Sequence, residues 1–195
     1  MFKRISTLTA MTLTTLGLMA APAHAGLMLE PYIGLEQGQT YSVIANLADA
    51  SYKTSGSVLG ARIGYSLPLL FWFGVDYSLV AGGKAKPDFG GPDSDLKRSD
   101  LYAVAGVDLP ILLRAWAGYG IMNETTVSNN IAETKITGGT KMKVGVGLTM
   151  LPLVSVNLEL FNHKGAKVEI AGTNTPMSTF EDAGGVLSVS LPLDL

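Results

Sequence analysis

Cysteine is absent from the 195 residues. That excludes a disulfide framework and a lipid-modified N-terminal cysteine, so pairing and packing alone must hold the fold. Charge is sparse, at 15% of residues. The chain carries 14 basic and 16 acidic residues, and setting Lys3 and Arg4 aside leaves a balance of −4. Such a chain has no electrostatic footprint for nucleic acid. Beyond residue 25 there is no run of 18 apolar residues, which excludes a membrane-spanning helix. The longest uncharged stretch there, Val144 to Leu158, is interrupted by Pro152. Yet 47% of residues are hydrophobic and the mean hydropathy is +0.31. The apolar residues must therefore follow some pattern other than a long helix.

Four tripeptides give the first view of that pattern: Leu67-Pro68-Leu69, Leu109-Pro110-Ile111, Leu151-Pro152-Leu153 and Leu191-Pro192-Leu193. Their prolines stand 42, 42 and 40 residues apart. Counting the same period back from Pro68 lands on Gly26, so Gly26–Leu195 reads as four copies of one unit. Ahead of it, Lys3 and Arg4 precede an uncharged stretch and then Ala23-His24-Ala25, the small-x-small pattern of a signal-peptidase site. Met1–Ala25 is expected to be a cleaved export signal and Gly26–Leu195 a single domain.

Within each unit the side chains alternate with a period of two, the mark of a one-faced strand. Leu59, Ala61, Ile63, Tyr65 and Leu67 oppose Gly60, Arg62, Gly64 and Ser66. After the proline, Phe71, Phe73, Val75, Tyr77 and Leu79 oppose Trp72, Gly74, Asp76 and Ser78. The same holds on both sides of Pro110 and Pro152 and in the last strand, through Leu187, Val189 and Leu191. Two strands per unit make eight. Proline cannot donate to a sheet ladder, so the proline sites are short turns. Four polar, Gly-rich stretches are expected to be long loops at the opposite end: about 42–55, 82–99, 123–139 and 162–182.

The faces decide the solvent. A soluble ligand-binding barrel needs a polar outer face, whereas here the non-apolar face is largely Gly and Ser with a few charges, suited to a narrow interior. The apolar face, with Tyr65, Phe71, Phe73, Tyr77 and Tyr119 among aliphatics, fits lipid. On these alternations, the turn spacing and the terminal strand, the chain resembles small outer-membrane β-barrel proteins of the OmpA-like, eight-stranded type. The resemblance implies an all-β, eight-stranded antiparallel up-and-down transmembrane β-barrel in a bacterial outer membrane. Its partners would be outer-membrane lipid and an unidentified extracellular ligand at the loops, and it would be a monomer. Such barrels commonly end in an aromatic residue, whereas this chain ends Leu193-Asp194-Leu195.

Six charges fall on the inner face: Arg62, Asp76, Asp108, Arg114, Lys143 and Glu159. Arg62–Asp76 and Asp108–Arg114 are both centred one residue past a proline, so they are equivalent cross-strand partners. Lys143–Glu159 is centred one residue before Pro152 and must be diagonal or shifted in register. Buried charges need opposite charges or water. The six either plug the lumen or line a water-filled pore.

Chemistry finds little support. His163 is the one histidine past residue 25, and Ser178 and Glu181 are only its neighbours in sequence, so a lipid A-modifying triad is not assembled by spacing. A loop-edge position would leave His163 solvated. Asp88, Asp93 and Asp95 do not match a calcium loop, and no glycine pair is followed by Lys-Ser/Thr, so neither metal nor cofactor is expected. The expected function is non-enzymatic, structural or recognitional through the loops. The alternatives are a narrow passive channel for ions or small solutes, a lipid A-modifying enzyme, and a soluble ligand-binding barrel.

Overall fold

A computed structural model describes residues 25–44, 50–68, 70–88, 90–109, 112–129, 133–151, 153–170, 173–175 and 177–195. The expected export signal lies outside them except for Ala25, as do Pro110 and Pro152.

Among the described residues all regular structure is β. The strands are β1 (Gly26–Ile44), β2 (Ala50–Ser66), β3 (Phe71–Pro87), β4 (Ser94–Leu109), β5 (Leu113–Ser128), β6 (Glu133–Thr137), β7 (Thr140–Leu151), β8 (Val154–Lys164), β9 (Lys167–Ile170), β10 (Thr173–Thr175), β11 (Met177–Ser190) and β12 (Leu193–Asp194). Antiparallel pairing runs β1-β2-β3-β4-β5-β7-β8-β11 and returns from β11 to β1. Eight strands thus close into an up-and-down barrel with no free edge in its wall. The short strands β6, β9 and β10 carry that wall upward at the loop end.

Burial follows the alternation. Ile33, Leu59, Phe71 and Leu160 are 63%, 60%, 57% and 56% exposed on the outside, while Trp72, Arg62 and Asp76 point inward and are at most 1% exposed. On β3 the outer apolar run extends from Phe71 to Leu79. At a rise of about 3.3 Å per residue and a tilt near 40° this makes a band of roughly 20–25 Å, the height of a bilayer's apolar core in such barrels. The fold is that of an eight-stranded transmembrane β-barrel.

Two of the proline turns share one geometry. Ser66 pairs with Trp72 and Leu67 N–H donates to Phe71 O at 2.7 Å, enclosing Pro68, residue 69 and Leu70. Leu109 pairs with Leu113 around the equivalent loop. Both loops end on a leucine in the left-handed region, Leu70 at φ 68° and Leu112 at φ 62°, as three-residue hairpin loops require. Each then accepts from the next hairpin: Asp108 N–H to Leu70 O at 2.7 Å, and Thr149 N–H to Leu112 O at 2.8 Å. The third hairpin pairs Leu151 with Val154 across a shorter loop, with a register shift between Thr149 and Leu151. Leucine pays for this conformation, so Leu70→Asn is expected to stabilise the barrel by about 1 kcal/mol, read from the denaturant midpoint for unfolding in lipid.

The long polar stretches are not simply loops. β1 runs to Ile44, β3 to Pro87 and β4 starts at Ser94, so most of 82–99 is wall rather than connection. The reason is that the barrel stands taller than its apolar band, and its upper outer face must be polar. At the other end, the last strand breaks at Leu191-Pro192 and resumes as β12, where Leu193 pairs with Leu29.

Candidate functional site: the barrel lumen

Inward-facing aromatics are seated on glycines of the neighbouring strand. Trp72 faces Gly106 and Trp116 faces Gly145 across their ladders. A Cβ at Gly106 would come within 2.5 Å of the Trp72 ring, and one at Gly145 within 2.3 Å of Trp116. Glycine is what lets a ring lie flat against the wall of so narrow a barrel. The indoles in turn support cations: the Arg62 guanidinium lies 4.2 Å from the Trp116 ring centre and 4.8 Å from that of Tyr32, and Arg114 lies 5.3 Å from Trp72.

A lower ion cluster is built around Arg62. Its Nε donates to Asp76 Oδ2 at 2.8 Å and its Nη2 to Glu159, while Nη1 lies 3.0 Å from Glu30 Oε1 without being aimed for a hydrogen bond. Lys143 Nζ bridges Asp76 at 2.6 Å and Glu159 at 2.9 Å. Arg114 joins Glu30 at 2.7 Å to Asp108 at 2.9 Å. Tyr32 donates to Asp76 Oδ1 at 2.7 Å and Ser190 to Glu30 Oε1 at 2.5 Å. All six inner charges read from the sequence thus meet in one network, joined by Glu30. Arg62 stands directly opposite Asp76 and Asp108 opposite Arg114. Lys143 faces Phe161 and Glu159 faces Gly145, so that pair is diagonal.

A second cluster lies toward the loops. Arg98 donates to Glu36 at 2.5 Å, to Asp182 at 2.6 Å and to Thr125 Oγ1 at 3.2 Å. Lys141 meets Asp100 at 2.6 Å, and the Phe161 ring lies 5.2 Å from both cations. Between the clusters is a cavity of about 20 Å³ bordered by Tyr32, Glu36, Asp100, Tyr102, Lys143 and Glu159, room for about one water molecule.

His163 is not solvated. It faces inward, 1% exposed, with Nε2 2.7 Å from Gly138 O and its ring edge-on to Phe180 at 5.2 Å. The strand continues to Lys164, past the loop start expected at residue 162, and its alternation turns the imidazole into the barrel. Glu181 is on the other face, 2.8 Å from Lys164 Nζ, so it does not orient His163; the side chain of Ser178 lies outside the described residues. Asp182 is the residue that stands across the ladder from His163.

The acidic trio of the second loop does not converge. Asp88 accepts from Ser51 and Gln39 and Asp95 from Lys84, and these contacts, the Ser51 hydroxyl and the Lys84 ammonium first, hold both carboxyls below their usual range. Among the described residues no group of three potential ligands could hold a metal ion.

No protein-family model matches the chain, and no curated protein matches it in sequence. Solved structures do match in shape. Neisserial surface protein A aligns with a TM-score of 0.53 at 16% identity, covering 84% of this chain and 96% of that one. OprG from Pseudomonas aeruginosa aligns at 0.55 and 12%, covering 89% and 99%. Ail of Yersinia pestis, solved with the heparin analogue sucrose octasulfate, aligns at 0.53 and 12%, covering 86% and 99%. At these identities the likeness is one of architecture, and the chain has the fold of the small eight-stranded outer-membrane β-barrels.

Proposed function

We propose that this is an outer-membrane barrel whose lumen is plugged and which acts at its loop-end surface, in envelope structure or in recognition, rather than as an enzyme. The observation that carries the reading is the paired state of the lumen. Two stacked ion clusters cross it, and the cavity between them has room for about one water molecule. A hydrated ion would have to break several buried ion pairs to pass. The surface charges support the same reading: among the described residues the seven lysines outside the lumen, from Lys53 to Lys167, lie on the loop-end half, and none lies near the proline turns. The outer surface offers groups for contact where the lumen offers no path.

Single-channel recording in planar bilayers tests this. The wild-type barrel is expected to be silent, and Arg62→Ala is expected to admit ions through the gap it leaves. An open wild-type conductance that neither Arg62→Ala nor Glu159→Ala alters would favour the passive channel instead. Export, the monomeric state and contact with an extracellular ligand at the loops are parts of the same proposal. Lipid A mass spectra that are unchanged by His163→Ala are expected of a barrel without enzymatic activity.

A further inference from the structure

The upper wall carries a crease. β5 pairs with β7 as far as Tyr119–Met142 and resumes with β6 at Glu124–Thr137, in the same register. β7 pairs with β8 up to Thr140–Lys164, and β6 with β9 from Thr137–Lys167, again in one register. So β6 continues β7 and β9 continues β8, but both ladders are interrupted at one level. Gly138, Gly139 and Gly165 lie in that interruption, and Gly139 falls opposite Gly165. All three have positive φ, 71°, 78° and 70°. A Cβ at Gly138 or Gly165 would meet nothing within 4 Å, so conformation and not space calls for glycine there.

Beyond the crease the inward face changes. Below it Lys141, Lys143, Phe161 and His163 point into the lumen; above it Ile136 and Val168 do, both buried with Phe180 of β11. This apolar group adjoins His163, which packs on Phe180 and stands across the ladders from Lys141 and Asp182 of the Arg98 cluster. A side-chain tie at the crease joins His163 Nε2 and Gly138 O. We propose that β6 and β9 form a lid, hinged at Gly138, Gly139 and Gly165, that closes the loop end of the lumen over the Arg98 cluster. Opening needs rotation about glycine dihedrals, release of the five-pair ladder between β6 and β5, and separation of Ile136 and Val168 from Phe180, while the eight-stranded ladder below stays intact. Elements held by so few buried apolar contacts open locally, well below the global unfolding free energy. The lid does not depend on the lumen being sealed beneath it.

Amide hydrogen exchange on the full chain in lipid discs tests the hinge. Amides of β6 and β9 are expected to exchange together, about 100-fold or more faster than those of β7 and β8. Protection running without a step from β7 into β6 and from β8 into β9 would overturn the proposal. A second measurement reads the opening itself. Thr54 faces the upper lumen and is 4% exposed, and the chain has no cysteine, so Thr54→Cys gives one clean site for an aqueous maleimide. Labelling is expected to be slow, and about tenfold or more faster when Val168→Asp places a charge in the apolar cap. Equal rates with and without Val168→Asp would also refute the lid. If Val168→Asp does not fold, the exchange pattern of the unaltered chain decides.

Discussion

Arg62→Ala is expected to cost about 3–5 kcal/mol of stability, the largest loss of any single side chain in the lumen. The guanidinium is fully buried and faces Glu30, Asp76 and Glu159. Without it three carboxylates face Lys143 and the shared Arg114 alone, and water must enter or a proton must bind. The guanidinium also sits between the Trp116 and Tyr32 rings, so part of the loss is packing. Urea titration of the barrel refolded in lipid reads the change. Adding Glu159→Gln to Arg62→Ala is expected to recover a substantial part of it, because one of the stranded charges goes too. A loss below about 1 kcal/mol would mean that these groups are solvated as surface pairs are, and the plug would have to be abandoned.

The eight strands and their inner faces were legible because alternation is a local signal: Leu59 to Leu67 needs only itself to declare its two sides. The pairs across a proline turn were legible too, since Arg62 and Asp76 are neighbours in a hairpin whose centre the proline marks. Glu30, Glu36, Arg98, Asp100, Lys141 and Asp182 were not counted among the inner charges, although Lys141 alternates in phase with Lys143 and all six lie in the lumen. Arg98 and Asp182 are 84 residues apart, and contacts across a lumen depend on barrel tilt and stagger, which no hairpin count contains. A signal existed for some of them: Ser94, Leu96, Arg98 and Asp100 alternate in phase with Tyr102 and Val104, as one uninterrupted inward face. Polarity hid it, because a wall that rises past the apolar band has the composition of a loop. The same continuation turns His163 inward.

The apolar band gives the second large effect. Leu158 lies on the outer face of β8 between Val156 and Leu160, 49% exposed to the surroundings, near the middle of the outer apolar run. If those surroundings are hydrocarbon, Leu158→Arg is expected to cost about 2–4 kcal/mol, whereas Asn162→Arg, on the same face four residues nearer the polar rim, should cost under about 1 kcal/mol. Both variants keep the lumen and the ladder unchanged, so the difference reports the solvent and not the fold. Paired denaturant titrations in one lipid composition measure it. A soluble barrel with an aqueous outer face would reverse the expectation: an arginine at 158 would then be tolerated as well as one at 162, and the exposed row of Ile33, Leu59, Leu160 and Leu187 would be left without a solvent that suits it. The depth dependence, more than either value alone, is therefore the result on which the membrane assignment of this wall stands.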